Sequence, residues 1–190
     1  MSGELNGRRV AVLATDGVEQ VELDQPWQAL VEAGAEPQLV SFEPGTVTAY
    51  IHIDKGQART VNVLLADADP GDFDALLLPG GVINGDFVRA DDDAVAFVRA
   101  FFDAGKPVAA ICHAAWVLIE ADVVRGRRMT SWPSLRTDLR NVGADWVDEE
   151  VVVDGNLVTS RKPDDLDAFG AAIVEQFARQ AAEEPEESSD

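Results

Sequence analysis

Thiols and long apolar runs are what this sequence most lacks. A single cysteine, Cys112, stands in 190 residues. No internal disulfide can form, and a reducing compartment, the cytoplasm, is the expected location. No stretch approaches the roughly 18 uninterrupted apolar residues of a membrane span. The segment from Met1 to Arg9 lacks the apolar core of a signal peptide. Histidine is represented only by His52 and His113; with one thiol they make a poor zinc set, and neither metal nor cofactor is expected. Lysine is confined to Lys55, Lys106 and Lys162, and 15 basic residues face 35 acidic ones. The resulting formal charge of −20 repels phosphate backbones, which argues against nucleic-acid partners. It suits a protein working in concentrated salt, where screening shortens self-repulsion.

What is present is an alternation of strand-like and helix-like segments, with 46% hydrophobic residues and length enough for a substantial core. The pattern predicts strands at Arg9 to Ala14, Gln38 to Phe42, Ala75 to Leu78 and Val108 to Ile111. A helix is expected from near Glu22, with Pro26 in its first turn, Trp27, Leu30 and Val31 on its apolar face, and Gly34 as its stop. Residues 46–65 read as irregular strands or a hairpin with Gly56 near its tip. Asp93 to Ala104 is amphipathic and stops at Gly105. Leu135 to Asn141 reads as a short helix. Asp154-Gly155-Asn156 between Glu149 to Val153 and Leu157 to Ser160 is a hairpin signal. A last helix follows Asp164 or Asp165 and runs to about Gln180. Residues 1–182 are expected to form one domain, followed by an acidic tail, 183–190, that reads as disordered. Such alternation implies an α/β fold with a mostly parallel central sheet.

Sites in open α/β sheets form at the carboxyl ends of strands. Three candidates fall there: Asp16 to Glu22, Gly80-Gly81 and Cys112-His113. A thiol at a strand-to-helix turn meets outward-pointing N–H groups and the positive end of a helix, which favours the thiolate. Ala110 and Ala114 flank it, as a sharp nucleophile elbow requires. One of Glu19 and Glu22 could turn inward and share a proton with the sulfur; the plainer alternative is compensation of the helix dipole. Gly80-Gly81 could lend N–H groups to an oxyanion hole together with His113. No G-x-G-x-x-G or G-K-[ST] pattern marks a phosphate loop. Adjacency is a poor arrangement for a base and its nucleophile, so His113 could point to the sulfur or to an interface. His52 reads as an exposed strand residue.

The residues then carry a resemblance. Asp16-Gly17-Val18-Glu19-Gln20-Val21-Glu22-Leu23, Leu78-Pro79-Gly80-Gly81, Gly105-Lys106-Pro107-Val108-Ala109-Ala110-Ile111-Cys112-His113, the stretch from Thr130-Ser131-Trp132-Pro133-Ser134 through Val153, and Thr159-Ser160-Arg161-Lys162-Pro163-Asp164-Asp165-Leu166 together resemble the PfpI family of intracellular cysteine hydrolases. That family belongs to the class I glutamine amidotransferase-like superfamily, with the parkinsonism-associated protein deglycase as a relative. The resemblance implies a flavodoxin-like three-layer sandwich. It implies Cys112 as nucleophile, Glu22 as its buried carboxyl partner, and Gly81 with His113 as backbone oxyanion donors. His113 would be the base, completed by Asp86 of a neighbouring subunit, in the loop after Gly80-Gly81. Trp132 falls where relatives carry a pocket aromatic or histidine. Ala114-Ala115 replaces the usual Gly-Pro, Gly85 replaces a usual proline, and residues 46–66 match poorly.

The implied function is cofactor-independent hydrolysis of glyoxal- and methylglyoxal-derived adducts on proteins or peptides, or conversion of the aldehydes themselves, in stress protection. An intracellular cysteine peptidase is the alternative, and a non-enzymatic redox sensor acting through Cys112 the third. The expected assembly is a homo-oligomer, a dimer or a trimer of dimers, with no membrane partner.

Overall fold

The computed structural model describes residues 3–183. Its elements run β1 Arg9–Leu13, α1 Gln20–Glu32, β2 Glu36–Ser41, β3 Thr46–Ile51, β4 Asp54–Thr60, β5 Val63–Leu64, β6 Ala75–Leu78, α2 Val82–Arg89, α3 Asp92–Asp103, β7 Val108–Ile111, α4 Ala115–Glu120, β8 Arg128–Met129, α5 Arg136–Asn141, β9 Asp145–Trp146, β10 Val151–Asp154, β11 Leu157–Ser160 and α6 Leu166–Glu183. Seven strands form one sheet in the order β10-β11-β7-β6-β1-β2-β5. Every neighbouring pair is parallel except β10 with β11. The expected α/β sandwich is therefore present.

The central strands read as continuous apolar runs because both of their faces are covered. Side chains alternate across β1: Val10 and Val12 join Leu23, Leu30, Phe169 and Ile173 beneath α1 and α6. Ala11 and Leu13 join Phe97, Phe101, Val117 and Leu118 beneath α3 and α4. Full burial of each large side chain contributes about 1.5–3 kcal/mol, so these two layers fix the register that carries the loops.

Three expectations need correction. Helix α1 begins at Gln20 and holds Pro26 inside it rather than in its first turn. The ring removes the N–H that would have bonded the Glu22 carbonyl, and Leu23 and Leu30 compensate by burial while Val31 is left exposed. Residues 46–60 form the expected antiparallel hairpin, with a register shift between Thr48 and Tyr50, but its tip is His52-Ile53 rather than Gly56. Gly56 lies within β4, where a Cβ would run into the Gln20 side chain. Asp86 sits not in a loop but on α2, which starts directly after Gly81. The expected helix after Cys112 opens as a 3-10 turn over Cys112–Ala114, followed by six residues of α4. The expected disordered tail begins at Glu183, the last residue of α6, and otherwise lies outside the described residues. Among the described residues no helix is long and apolar enough to cross a membrane.

Candidate active site

Strand β7 delivers Cys112 to the carboxyl edge of the sheet, beside the loop that follows β6. Cys112 has φ +63°, the left-handed region that costs a side chain of this kind about 1–3 kcal/mol. Buried Ala110 and Ala114 flank the turn, as the elbow reading expected. The backbone N–H groups of Gly81 and His113 both point at the sulfur. They do not make it acidic, however. Burial, reinforced by the charge of Glu22, pushes the Cys112 thiol up, and the two N–H groups only partly oppose this. Burial of the cysteine, 6% exposed, thus opposes the N–H groups that the sequence reading expected to favour a thiolate.

Glu22 is the inward carboxylate of the two candidates. It has no exposed surface, and burial raises its pKa from 4.5 to about 8, helped by the nearby charge of Glu19. Cys112 and the Gly80 N–H approach it and pull the other way, yet neither of its oxygens has a full hydrogen bond. It therefore holds a proton at neutral pH. Gly80 makes this proximity possible: a Cβ there would collide with a Glu22 oxygen and with the Cys112 side chain. Gly81, at φ +101°, would meet the Gly17 carbonyl in the same way.

His113 turns toward the sulfur. Its Nδ1 lies 3.2 Å from Cys112 Sγ, so the adjacency that seemed unfavourable in sequence is overcome by the left-handed turn at Cys112. The ring is held by aromatic walls, stacked on Trp132 at 5.6 Å and edge-on to Trp116 at 5.1 Å. Burial lowers its pKa to about 4, so at neutral pH the imidazole is uncharged and able to accept a proton.

Asp86 does not reach His113 within the chain. Its carboxylate takes Arg89 at 2.8 Å, and more than half of its side-chain surface is open. The Arg89 guanidinium in turn lies over Trp116, 4.5 Å from the ring centre. Glu19, 8% exposed, accepts the His52 N–H at 3.0 Å and faces the cleft. That cleft, of about 220 Å³, brings Glu19, Glu22, Gly81, Cys112, His113 and Trp132 together with His52, Ile53, Val82, Ile83 and Pro163.

Sequence reasoning missed Asn84. This buried side chain donates to the carbonyls of Pro79 and Gly80 at 3.1 and 3.2 Å and accepts the Thr15 N–H at 2.8 Å. It pins the Pro79-Gly80 carbonyls to the loop from Thr15 that leads into Glu19 and α1. The available signal was an asparagine three residues after Gly81, too common a pattern to read alone. His52, expected as an exposed strand residue, is exposed but stands at the hairpin tip and lines the cleft. Among the described residues no cluster of His, Cys, Asp and Glu could hold a metal ion.

This arrangement of thiol, imidazole, neutral carboxyl and two aimed N–H groups suits nucleophilic attack on a carbonyl carbon. A deglycase from Thermococcus kodakarensis is 45% identical over 168 residues, covering 87% of this chain and 97% of that one. A Bacillus subtilis protein provisionally named a cysteine protease is 44% identical over 162 residues, covering 85% and 94%. Among solved structures, DJ-1beta of Drosophila melanogaster superposes with a TM-score of 0.79 at 28% identity, covering 93% of this chain and 96% of that one. Residues 8–176 match the model of the DJ-1/PfpI family, and the chain belongs to that family.

Proposed function

We propose that this protein is a cofactor-independent cysteine hydrolase that works in the cytoplasm on small carbonyl adducts, those of glyoxal and methylglyoxal or the aldehydes themselves. The observation that carries this is the buried trio in which Cys112 Sγ meets His113 Nδ1 at 3.2 Å beside a carboxyl whose proton is held up to about pH 8. His113 takes the thiol proton as Sγ adds to the carbonyl carbon. The carbonyl π electrons move to oxygen, and Glu22 supplies that oxygen with a proton, giving a neutral hemithioacetal. The N–H groups of Gly81 and His113 face the charge that develops. Return of the His113 proton to Glu22 through water resets the pair for the next step.

Peptide cleavage is the second reading, supported by the name of the Bacillus subtilis relative. Cleft size favours the first: about 220 Å³ is below the roughly 300–1,000 Å³ of drug-sized ligand sites. Purified protein assayed against methylglyoxal and against casein decides between them. Methylglyoxal consumption that disappears in Cys112→Ala, with no casein cleavage, is the expected result. The reverse pattern would establish the peptidase, and oxidation of Cys112 by peroxide without turnover of either substrate would leave the sensor reading.

The working form is proposed to be a homo-oligomer in which Asp86 of a neighbouring subunit orients His113. Exposed Val82, Ile83 and Phe87 on the same helix give α2 an apolar face of the kind that pairs between copies.

A further inference from the structure

Among the described residues, no lysine or arginine lines the cleft. Its titratable lining is Glu19, Glu22, His52, Cys112 and His113, and the rest is apolar or glycine. The cations on adjoining elements are committed elsewhere. Arg89 is paired with Asp86 at 2.8 Å, Arg161 with Asp165 at 2.8 Å and Asp148 at 2.7 Å, and Lys162 with Asp164 at 3.2 Å. Lys55, beyond the hairpin tip, does not line the cleft. Of the two carboxyl groups lining the cleft, Glu22 is fully buried against Cys112, and Glu19 faces the opening without a cationic partner among the described residues. Its Oε2 is used only to hold the His52 N–H, and this contact fixes His52 at φ +58° with Ile53, 89% exposed, standing over the mouth. The hairpin is further strapped to the same loop through Gly17 N–H to the Thr48 carbonyl at 3.0 Å and Tyr50 N–H to the Val18 carbonyl at 2.7 Å.

We propose that Glu19, with the His52-Ile53 tip it anchors, is the charge selector of the cleft: it admits neutral and cationic carbonyl compounds and turns away those bearing a carboxylate or phosphate. This rests on the reading of Cys112 as the reacting group. An anionic substituent on a carbonyl carbon bonded to Sγ would be brought close to the Glu19 carboxylate with no counter-charge in reach. A protonated amine on an adduct would instead be drawn in. Among the carbonyl compounds proposed above, oxo acids such as glyoxylate are thereby excluded. Glu19 acts here as a specificity residue.

The two reagents iodoacetamide and iodoacetate test this without turnover. Each forms one S–C bond and releases iodide, they are nearly equal in size, and they differ by one negative charge. Cys112 is the sole thiol, so labelling reports on it alone. The ratio of iodoacetamide to iodoacetate rates, divided by the same ratio for 2-mercaptoethanol, should be about tenfold or more. It should survive in about 1 M salt, where the Debye length is about 3 Å and the general acidity of the surface is screened. Glu19→Gln, which keeps an acceptor for His52, should bring the ratio most of the way back to the reference. Ile53→Lys, at a site open to solvent, should lower it as well and decides the matter if Glu19→Gln fails to fold. A parent ratio at the reference value overturns the proposal, as does a ratio erased by salt or one unchanged in both variants. In all of those cases rapid iodoacetamide labelling leaves the hydrolase reading intact. Labelling by both reagents at the rate of a core thiol would instead remove the reactive cysteine and the selector with it.

Discussion

A buried carboxyl that keeps its proton links chemistry to stability at the level of one residue. The unfolded chain releases the Glu22 proton near 4.5, whereas the folded chain holds it to about 8. Between those values the folded state binds more protons than the unfolded one, so Glu22 makes stability fall as pH rises through that window. Glu22→Gln removes the loss. Melting curves from about pH 5 to about pH 9 should therefore fall less steeply for the variant than for the parent. The same substitution removes the negative charge that helps to push the Cys112 thiol up, so the pH profile of iodoacetamide labelling should move toward lower pH. An unchanged melting slope and labelling profile would place the controlling proton elsewhere. Cys112 and the pair Glu19 and Glu22 could be found in the sequence because a thiol after an apolar run and carboxylates at a helix start are local signals. The direction of the His113 ring was not legible. It depends on the left-handed turn at Cys112 and on the walls of Trp116 and Trp132, which lie far apart from each other in sequence.

Helix α2 shows what pattern reading loses in an element of eight residues. Asn84, Gly85 and Asp86 interrupt its apolar spacing, and the resemblance put Asp86 in a loop after Gly80-Gly81, whereas β1, β6 and β7 announced themselves as apolar runs covered on both faces. The hairpin tip was displaced to Gly56 for the opposite reason: glycine suggests a turn, but here its missing Cβ makes room for Gln20. Within α2, Gly85 lets the helix press on the His113 backbone, since a Cβ there would come within 2.8 Å of the His113 carbonyl oxygen. A proline at that position, usual in the resembling family, would make its own demands on the spacing. The exposed face of α2 carries the assembly proposal. Mixing inactive Cys112→Ala with Asp86→Ala protein should restore activity in hybrid assemblies, because one interface then holds an intact Cys112 and an intact Asp86. Equal activity of parent and Asp86→Ala protein, or full activity in a monomer measured by light scattering, would overturn it.

For the whole molecule the excess of acidic over basic side chains dominates. Pairs such as Arg8 with Asp74 and Arg128 with Glu149 are partly or largely open to solvent, and exposed pairs contribute only about 0–1 kcal/mol each. With a net charge of −20, repulsion among unmatched carboxylates outweighs what screening takes from the pairs. The melting temperature should rise between low salt and about 1 M salt; a flat or falling value would show that the acidity does not act through self-repulsion. The two ends of the sheet have a separate consequence. One edge is β5, only two residues long. The other is β10, where the Asp154 carboxylate accepts the Arg128 N–H at 2.8 Å and β8 packs alongside. Neither offers a long row of free backbone groups on which another chain could add a strand. Under the proposed function the protein meets reactive carbonyls that also damage its own surface, and a sheet with edges this short is poorly suited to seeding fibrils when that damage accumulates.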